Sequence, residues 1–274
     1  MTHIPFQSQA LFSTRGLSEK VGKTRLNLLQ YFISLPKSKY SEMKDLSMID
    51  ANRFLILVYL MVFTSIAFNI QAEKHCPAIF VVGDSHANEF SQTPHCKIHH
   101  ISSCTMHRVG RDGLSIINLP AWGIEEGQVV IFVFGEIDAR CHIGKQRDVF
   151  NRTTEEIIET LVQNYLNTIH LNRQAYKELT CVVYSVTPPT DIVFNPHYPA
   201  YGSLFDRVAI TKRLNHRLAE MCKETGVHFL DVYNDYADAM GVLRVELSDG
   251  NVHINPEFNG PIIAKLSQLI SKEQ

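Results

Sequence analysis

The residues equipped for chemistry stand at opposite ends of the chain. The run Ala78–His86, AIFVVGDSH, is apolar and β-branched and breaks off in Gly83-Asp84-Ser85. That pattern predicts a buried parallel strand that delivers Ser85 to its carboxyl end. In open α/β sheets, ligand chemistry gathers at those ends. A serine nucleophile needs a base, and usually a carboxylate to orient the base. Leu247–Pro256, LSDGNVHINP, offers both in Asp249 and His253. Taken alone, Gly-Asp-Ser is also an ordinary strand-to-helix turn with Asp84 or Ser85 as N-cap. The distant Asp…His pair is what points to a nucleophile.

These residues must be positioned by the elements between them. Ala78–Val82, Lys97–Ser102, Val129–Phe134, Cys181–Val186 and Val227–Val232 read as strands. VVIFVF, at 129–134, is the most apolar and should be central. Thr153–Lys177 has helical spacing, with Ile157, Ile158, Leu161, Val162, Tyr165, Leu166 and Ile169 on one face. Phe205–Thr225 predicts a second amphipathic helix closed by Gly226, and Pro261–Lys272 a last one. Strands alternating with long helices predict a parallel sheet covered on both faces, with the Asp249–His253 loop on the same edge as Ser85.

The chain resembles the SGNH/GDSL hydrolases from about Pro77 to its end. Val81–His86, VVGDSH, matches the family's serine block, and Asp231–His253 looks like its last block, which ends in Asp…His. The resemblance implies a three-layer α/β/α sandwich with a flavodoxin-like parallel five-stranded sheet. It also implies a Ser85, His253, Asp249 triad that hydrolyses esters or transfers acyl groups through an acyl-enzyme. The G-x-S-x-G elbow of the other large hydrolase fold is absent.

Two departures from the family pattern stand out. Its oxyanion hole uses the serine N–H, a glycine N–H and an asparagine side chain. Gly110, in MHRVGRDGLS, is the preferred glycine over Gly113. At the asparagine block the chain reads Gly135-Glu136-Ile137-Asp138, so Ile137 stands where a donor is expected. Losing one such donor typically costs about 10²–10³ in rate. Gly135, Asp138, Arg140 and His142 complete the candidate oxyanion and substrate set, since all lie at or beyond the end of the third strand. Arg140 can donate to an oxyanion or grip an anionic group, or form an ion pair with Glu136 or Asp138. In the second departure, Asp249 stands four residues before His253, where the family commonly has three. It either orients His253 or bonds turn backbone, leaving a Ser-His dyad. The aromatic and proline-rich stretch 194–201 is a candidate pocket wall or a packed surface loop.

The composition narrows the class. A formal net charge of -2 argues against a nucleic-acid binder that relies on a basic surface. Six cysteines without a CxxC pair argue against a structural zinc site, and the acidic residues show no metal-ligand spacing. No cofactor or metal is implied. Residues 1–53 carry eight basic and four acidic side chains and read as a poorly structured basic region. Phe54–Phe68, FLILVYLMVFTSIAF, is fifteen residues without a charge. Its length falls between a signal-peptide core and a full span. The expected division is therefore a signal peptide or single membrane anchor at 54–72 and an SGNH-like domain over 73–274, exported or anchored. The expected activity is a serine esterase or O-acyl (acetyl) hydrolase acting on a small-molecule or glycan ester. The alternatives are an acyltransferase to a carbohydrate and a non-catalytic domain that binds a glycan or lipid.

Overall fold

The structure, a computed structural model, describes residues 78–192 and 198–271. The basic region 1–53, the segment 54–72, Cys76 and residues 193–197 lie outside the described residues. Among those described, no helix is long and apolar enough to cross a membrane.

Five parallel strands form one sheet in the order β2-β1-β3-β4-β5. They are β1 Ile79–Gly83, β2 Cys96–His100, β3 Val129–Val133, β4 Thr180–Tyr184 and β5 His228–Leu230. The central strands are the ones without charge: every residue of β3 is buried. The edges are polar or short. β2 reads CKIHH and is half exposed, and β5 has three residues. An edge strand faces water and needs polar side chains to discourage pairing with other chains.

Alternation along the strands divides the core into two layers. Val82, Val130, Phe132, Cys181 and Val183 pack on one face. That face is covered by α1 (Met106–Asp112), α3 (Thr154–Arg173) and α4 (Leu204–Thr225), with α2 (Ile143–Phe150) leading from the end of β3 into α3. Val81, Val129, Ile131, Val133, Val182 and Tyr184 pack on the other face. Their cover is Phe90, Tyr236, Leu243, Ile254 and the final helix α5 (Gly260–Ser271) through Ile262 and Leu266. The α/β/α sandwich is the one expected from the sequence, and the 2-1-3-4-5 strand order is that of the flavodoxin-like sheet the resemblance implies.

Local signals explain the long helices. All seven apolar residues expected on the inner face of α3 are buried, and a Thr153/Glu156 capping box starts the helix. Gly226, in the left-handed region at φ 66°, ends α4. The turn into α2 passes unforeseen through one stretch of π-helix, Asp138–His142. Such bulges are frequent at functional sites.

Gly83 marks the closest approach in the sheet. A side chain there would meet the Val133 carbonyl, and its Cβ would lie 2.7 Å from the Val133 Cβ. Gly83→Ala is therefore expected to lose about 2–3 kcal/mol by overpacking. Urea unfolding checks this; an unchanged midpoint would show that the strand ends can part freely.

Candidate active site

The site forms where β1 runs into its helical turn. Asp84 is the N-cap of a 3-10 helix, Ser85–Phe90, and its carboxylate accepts from the His86 N–H at 2.9 Å. The Asp84 N–H donates to the Val133 carbonyl at 3.2 Å, tying the turn to β3. Ser85 is the first residue of the turn and is half-buried.

The second half arrives from the C-terminus. Ser248 and Ile254 form an antiparallel bridge that closes a loop, and the Asp249 N–H donates to the His253 carbonyl at 3.1 Å. Gly250, at φ 89°, supplies the left-handed residue that the turn needs. Asp249 divides its two oxygens. Oδ1 accepts from the Asn251 N–H at 2.8 Å, an Asx turn, and Oδ2 pairs with His253 Nδ1 at 2.8 Å. The two readings open for Asp249 are thus both satisfied by one carboxylate. The extra residue between Asp249 and His253 is absorbed in the turn. Nε2 of the same imidazole lies 2.8 Å from Ser85 Oγ. With Nδ1 facing a carboxylate, the proton sits on Nδ1 and Nε2 is the acceptor for the serine hydroxyl.

Electrostatics keeps this imidazole neutral. Burial lowers the His253 pKa below its usual value, and the neighbouring His86 lowers it further, against the opposing pull of Asp249. Asp249 is itself partly buried, which raises its pKa. The bonds from His253 and the Asn251 N–H outweigh that and hold it below the usual carboxylate range.

Two residues not singled out from the sequence hold the loop in place. His86 and Glu89 are buried on one face of the 3-10 turn, as a period of three residues requires. His86 Nε2 lies 3.4 Å from the Val252 carbonyl. Glu89 accepts from the Ile254 N–H at 3.1 Å and from the Tyr184 hydroxyl at 2.8 Å. Both neighbours of His253 are therefore anchored to the serine's own turn. The available signal was the burial pattern itself. In SHANEF, Ala87 and Phe90 must face the core, which carries the adjacent His86 and Glu89 inward.

The remaining candidates have other tasks. Gly110 is not in the turn that leaves β2; it lies inside α1, where a Cβ would come within 2.8 Å of the Asn164 Cβ. Its N–H is committed to the helix, so its role is to let α1 pack on α3. Gly135, at φ 120°, admits Met106 and Val186 against the end of β3. Asp138 is buried and accepts from the Met106 N–H at 2.7 Å and the His107 N–H at 3.2 Å, capping α1. Burial pushes its carboxyl up to about 7. Arg140 is buried against Glu136, Nε to Oε1 at 2.7 Å, and also donates to the Tyr198 carbonyl. Of its two readings, the ion pair is the one formed. His142 lines a cavity of about 160 Å³ with His107, Arg111 and Arg152, and its ring meets Tyr198 edge-on at 6.0 Å. Ile137 is buried and offers no donor. Among the described residues, no group of three His, Cys, Asp or Glu side chains is placed to hold a metal ion.

Solved structures place this architecture. A GDSL-like lipase of Bacteroides thetaiotaomicron matches with TM-score 0.50 and 15% identity, over 72% of this chain and 88% of that one. The fold is that of the SGNH/GDSL hydrolases. A structure from Bacteroides fragilis assigned as an acylhydrolase matches this chain with TM-score 0.51 and 13% identity, over 73% of this chain and 89% of that one. A protein of Streptococcus pneumonia assigned as a platelet activating factor has TM-score 0.51 and 17% identity, over 82% of this chain and 100% of that one. No protein-family model and no curated protein sequence matches.

The buried carboxyl that holds Ile254 has a consequence for stability. Burial pushes Glu89 up to about 7 from 4.5, although His86 and its bonded partners pull the other way. The folded chain thus keeps a proton there that the unfolded chain releases between about pH 4.5 and 7, so this group's share of stability falls as pH rises through that window. Glu89→Gln, which can still bond Ile254 and Tyr184, is expected to lessen the fall in stability from pH 5 to pH 7. Urea midpoints at the two pH values measure it; equal pH dependence in both proteins would contradict the assignment.

Proposed function

We propose that this chain is a serine esterase that removes O-acyl groups, acetyl among them, from a small-molecule or carbohydrate ester. The observation that supports this most directly is the unbroken relay Asp249–His253–Ser85, with both links at 2.8 Å. In this reading Ser85 Oγ attacks the ester carbonyl as its proton passes to His253 Nε2. The imidazolium then returns that proton to the leaving alkoxide, and an acyl-serine remains. Water attacks the acyl-serine by the same route reversed. Asp249 fixes the tautomer and stabilises the imidazolium.

The oxyanion would receive the Ser85 N–H, which as the first donor of its helical turn has no intrahelical partner. Neither Gly110 nor Ile137 can add a second donor. Each missing donor lowers the rate by about 10²–10³, so a slow enzyme is expected. A sugar hydroxyl can replace water as the acceptor, and the same relay then performs acyl transfer. A purely glycan- or lipid-binding domain has no physical need of an imidazole aimed at a half-buried serine.

Turnover of p-nitrophenyl acetate by the full-length protein tests the proposal, together with labelling by a fluorophosphonate. Ser85→Ala is expected to lower turnover at least about 10³-fold and to abolish labelling. Activity requires neutral His253, so kcat/KM should rise with pH through a midpoint below 6.5, because burial and His86 lower that group. Folded wild-type protein that takes no label would instead support the binding domain.

A further inference from the structure

His86 follows the serine directly, and both of its ring nitrogens meet oxygens of other residues, a carboxylate and a carbonyl, that can only accept. Nδ1 lies 3.1 Å from Asp84 Oδ1, an oxygen that also accepts from the His86 N–H. Nε2 lies 3.4 Å from the carbonyl of Val252. A neutral imidazole has one donor and one acceptor nitrogen and would set a lone pair against one of these oxygens. Only the doubly protonated ring satisfies both. The residue is 3% exposed, so water cannot complete either bond.

The consequence reaches His253. The two imidazole rings lie 4.6 Å apart, centroid to centroid, at 56°. A fixed positive charge at that distance disfavours a second one. The same ring grips the carbonyl immediately before His253.

We propose that His86 is a positioning residue held as a permanent imidazolium, which fixes the His253 loop and keeps His253 unprotonated at a pH where a free histidine would be charged. The role in turnover rests on the esterase reading; the charge state does not.

The surrounding groups support the charge. On its own turn His86 is faced by Asp84 and Glu89, from the end of β3 by Glu136, and from the C-terminal loop by the Val252 carbonyl and His253. Glu136 is balanced by Arg140, and Glu89 is half protonated near neutral pH, so Asp84 is the dominant partner. Burial alone would discharge His86. Asp84, through its charge and its hydrogen bond, then Glu89 and Glu136, overcome that and raise the group to about 10. His253 is faced by His86, Asp249, Ser85 and, at longer range, Glu136. The arrangement separates the tasks of two adjacent histidines: one stays charged, and the other is kept free to exchange a proton.

Histidine ring nitrogen signals of the ¹⁵N-labelled full-length protein, followed from pH 5 to 9, test this without reference to turnover. His86 is expected to show two protonated nitrogens throughout; titration with a midpoint near 6.5 would overturn the proposal. In His86→Asn the midpoint of His253 should rise by about half a unit or more, as expected when a nearby like charge is removed. The acid limb of kcat/KM on p-nitrophenyl acetate should move up with it, and kcat should fall about tenfold. A residue that merely fills space would lower stability and leave both midpoints where they were, which would also overturn the proposal. Asp84→Asn supplies a second variant and should bring the His86 midpoint down into the measured range. The wild-type titration stands whether or not either variant folds. Absent turnover with a doubly protonated His86 would count against the esterase reading alone.

Discussion

The hydrogen bonds that tie Val252 and Ile254 to His86 and Glu89 hold together a site whose halves are 168 residues apart in the chain. A loop closure of that length costs entropy, and a single serine–histidine bond at a half-exposed surface could not repay it. The cost is met by the layer beneath. Ile254 and the C-terminal helix bury apolar surface on the same face of the sheet as Phe90 and Tyr184. The Glu89–Tyr184 bond and the Asn259–Glu89 bond then connect turn, strand and loop beneath His253. The reactive groups sit on top of this scaffold, and their separation follows from it.

The same region concentrates buried ionisable groups. Asp84, His86, Glu89, Glu136, Asp138 and Arg140 are all nearly inaccessible around the carboxyl ends of β1 and β3. Buried charges are costly unless paired or hydrogen-bonded. Here Asp84 is paired with His86 and Arg140 with Glu136, and Asp138 is satisfied by two N–H groups of α1. Glu89 and Asp138 relieve the cost in another way, by retaining a proton near neutral pH. A cluster of this kind is stable only while every member keeps its partner, which makes it rigid. Rigidity is what a general base needs, because its distance to the serine decides whether a proton can pass.

The loop after β3 shows one position changing its use. Where the family pattern would place an asparagine side chain at the oxyanion, this chain has a buried isoleucine. The polar residues on either side are turned into the fold: Glu136 to Arg140, Asp138 to α1, and Arg140 to the Tyr198 carbonyl. The π-helical stretch that follows carries Arg140 toward the backbone of 198–201, where the Tyr201 N–H also donates to the Arg140 carbonyl at 2.9 Å. What resembles a second set of catalytic groups in the sequence is thus a brace for the backbone of 198–201.

Much of this protein was legible in its sequence. Five strands, three long helices, their order and the edge to which Ser85 and His253 belong all follow from the apolar periodicity, because burial of a sheet face or helix stripe imposes a repeat that a linear chain displays. The short elements were not legible. α1 and the π-helical stretch are set by neighbours distant in sequence. The roles of Gly110, Asp138 and Arg140 were likewise closed to inspection: a glycine reads the same in a turn or in a helix contact, and a carboxylate does not announce which N–H it will meet. The sequence by itself determined the sheet, its layers and the presence of a serine, a histidine and an aspartate on one edge. Only the tertiary structure decided that Asp249 serves both the turn and the imidazole, that Gly110 lies inside α1, and that His86 and Glu89 hold the loop. Those outcomes depend on contacts at hydrogen-bond distance, most of them between groups far apart along the chain, and packing sets such distances.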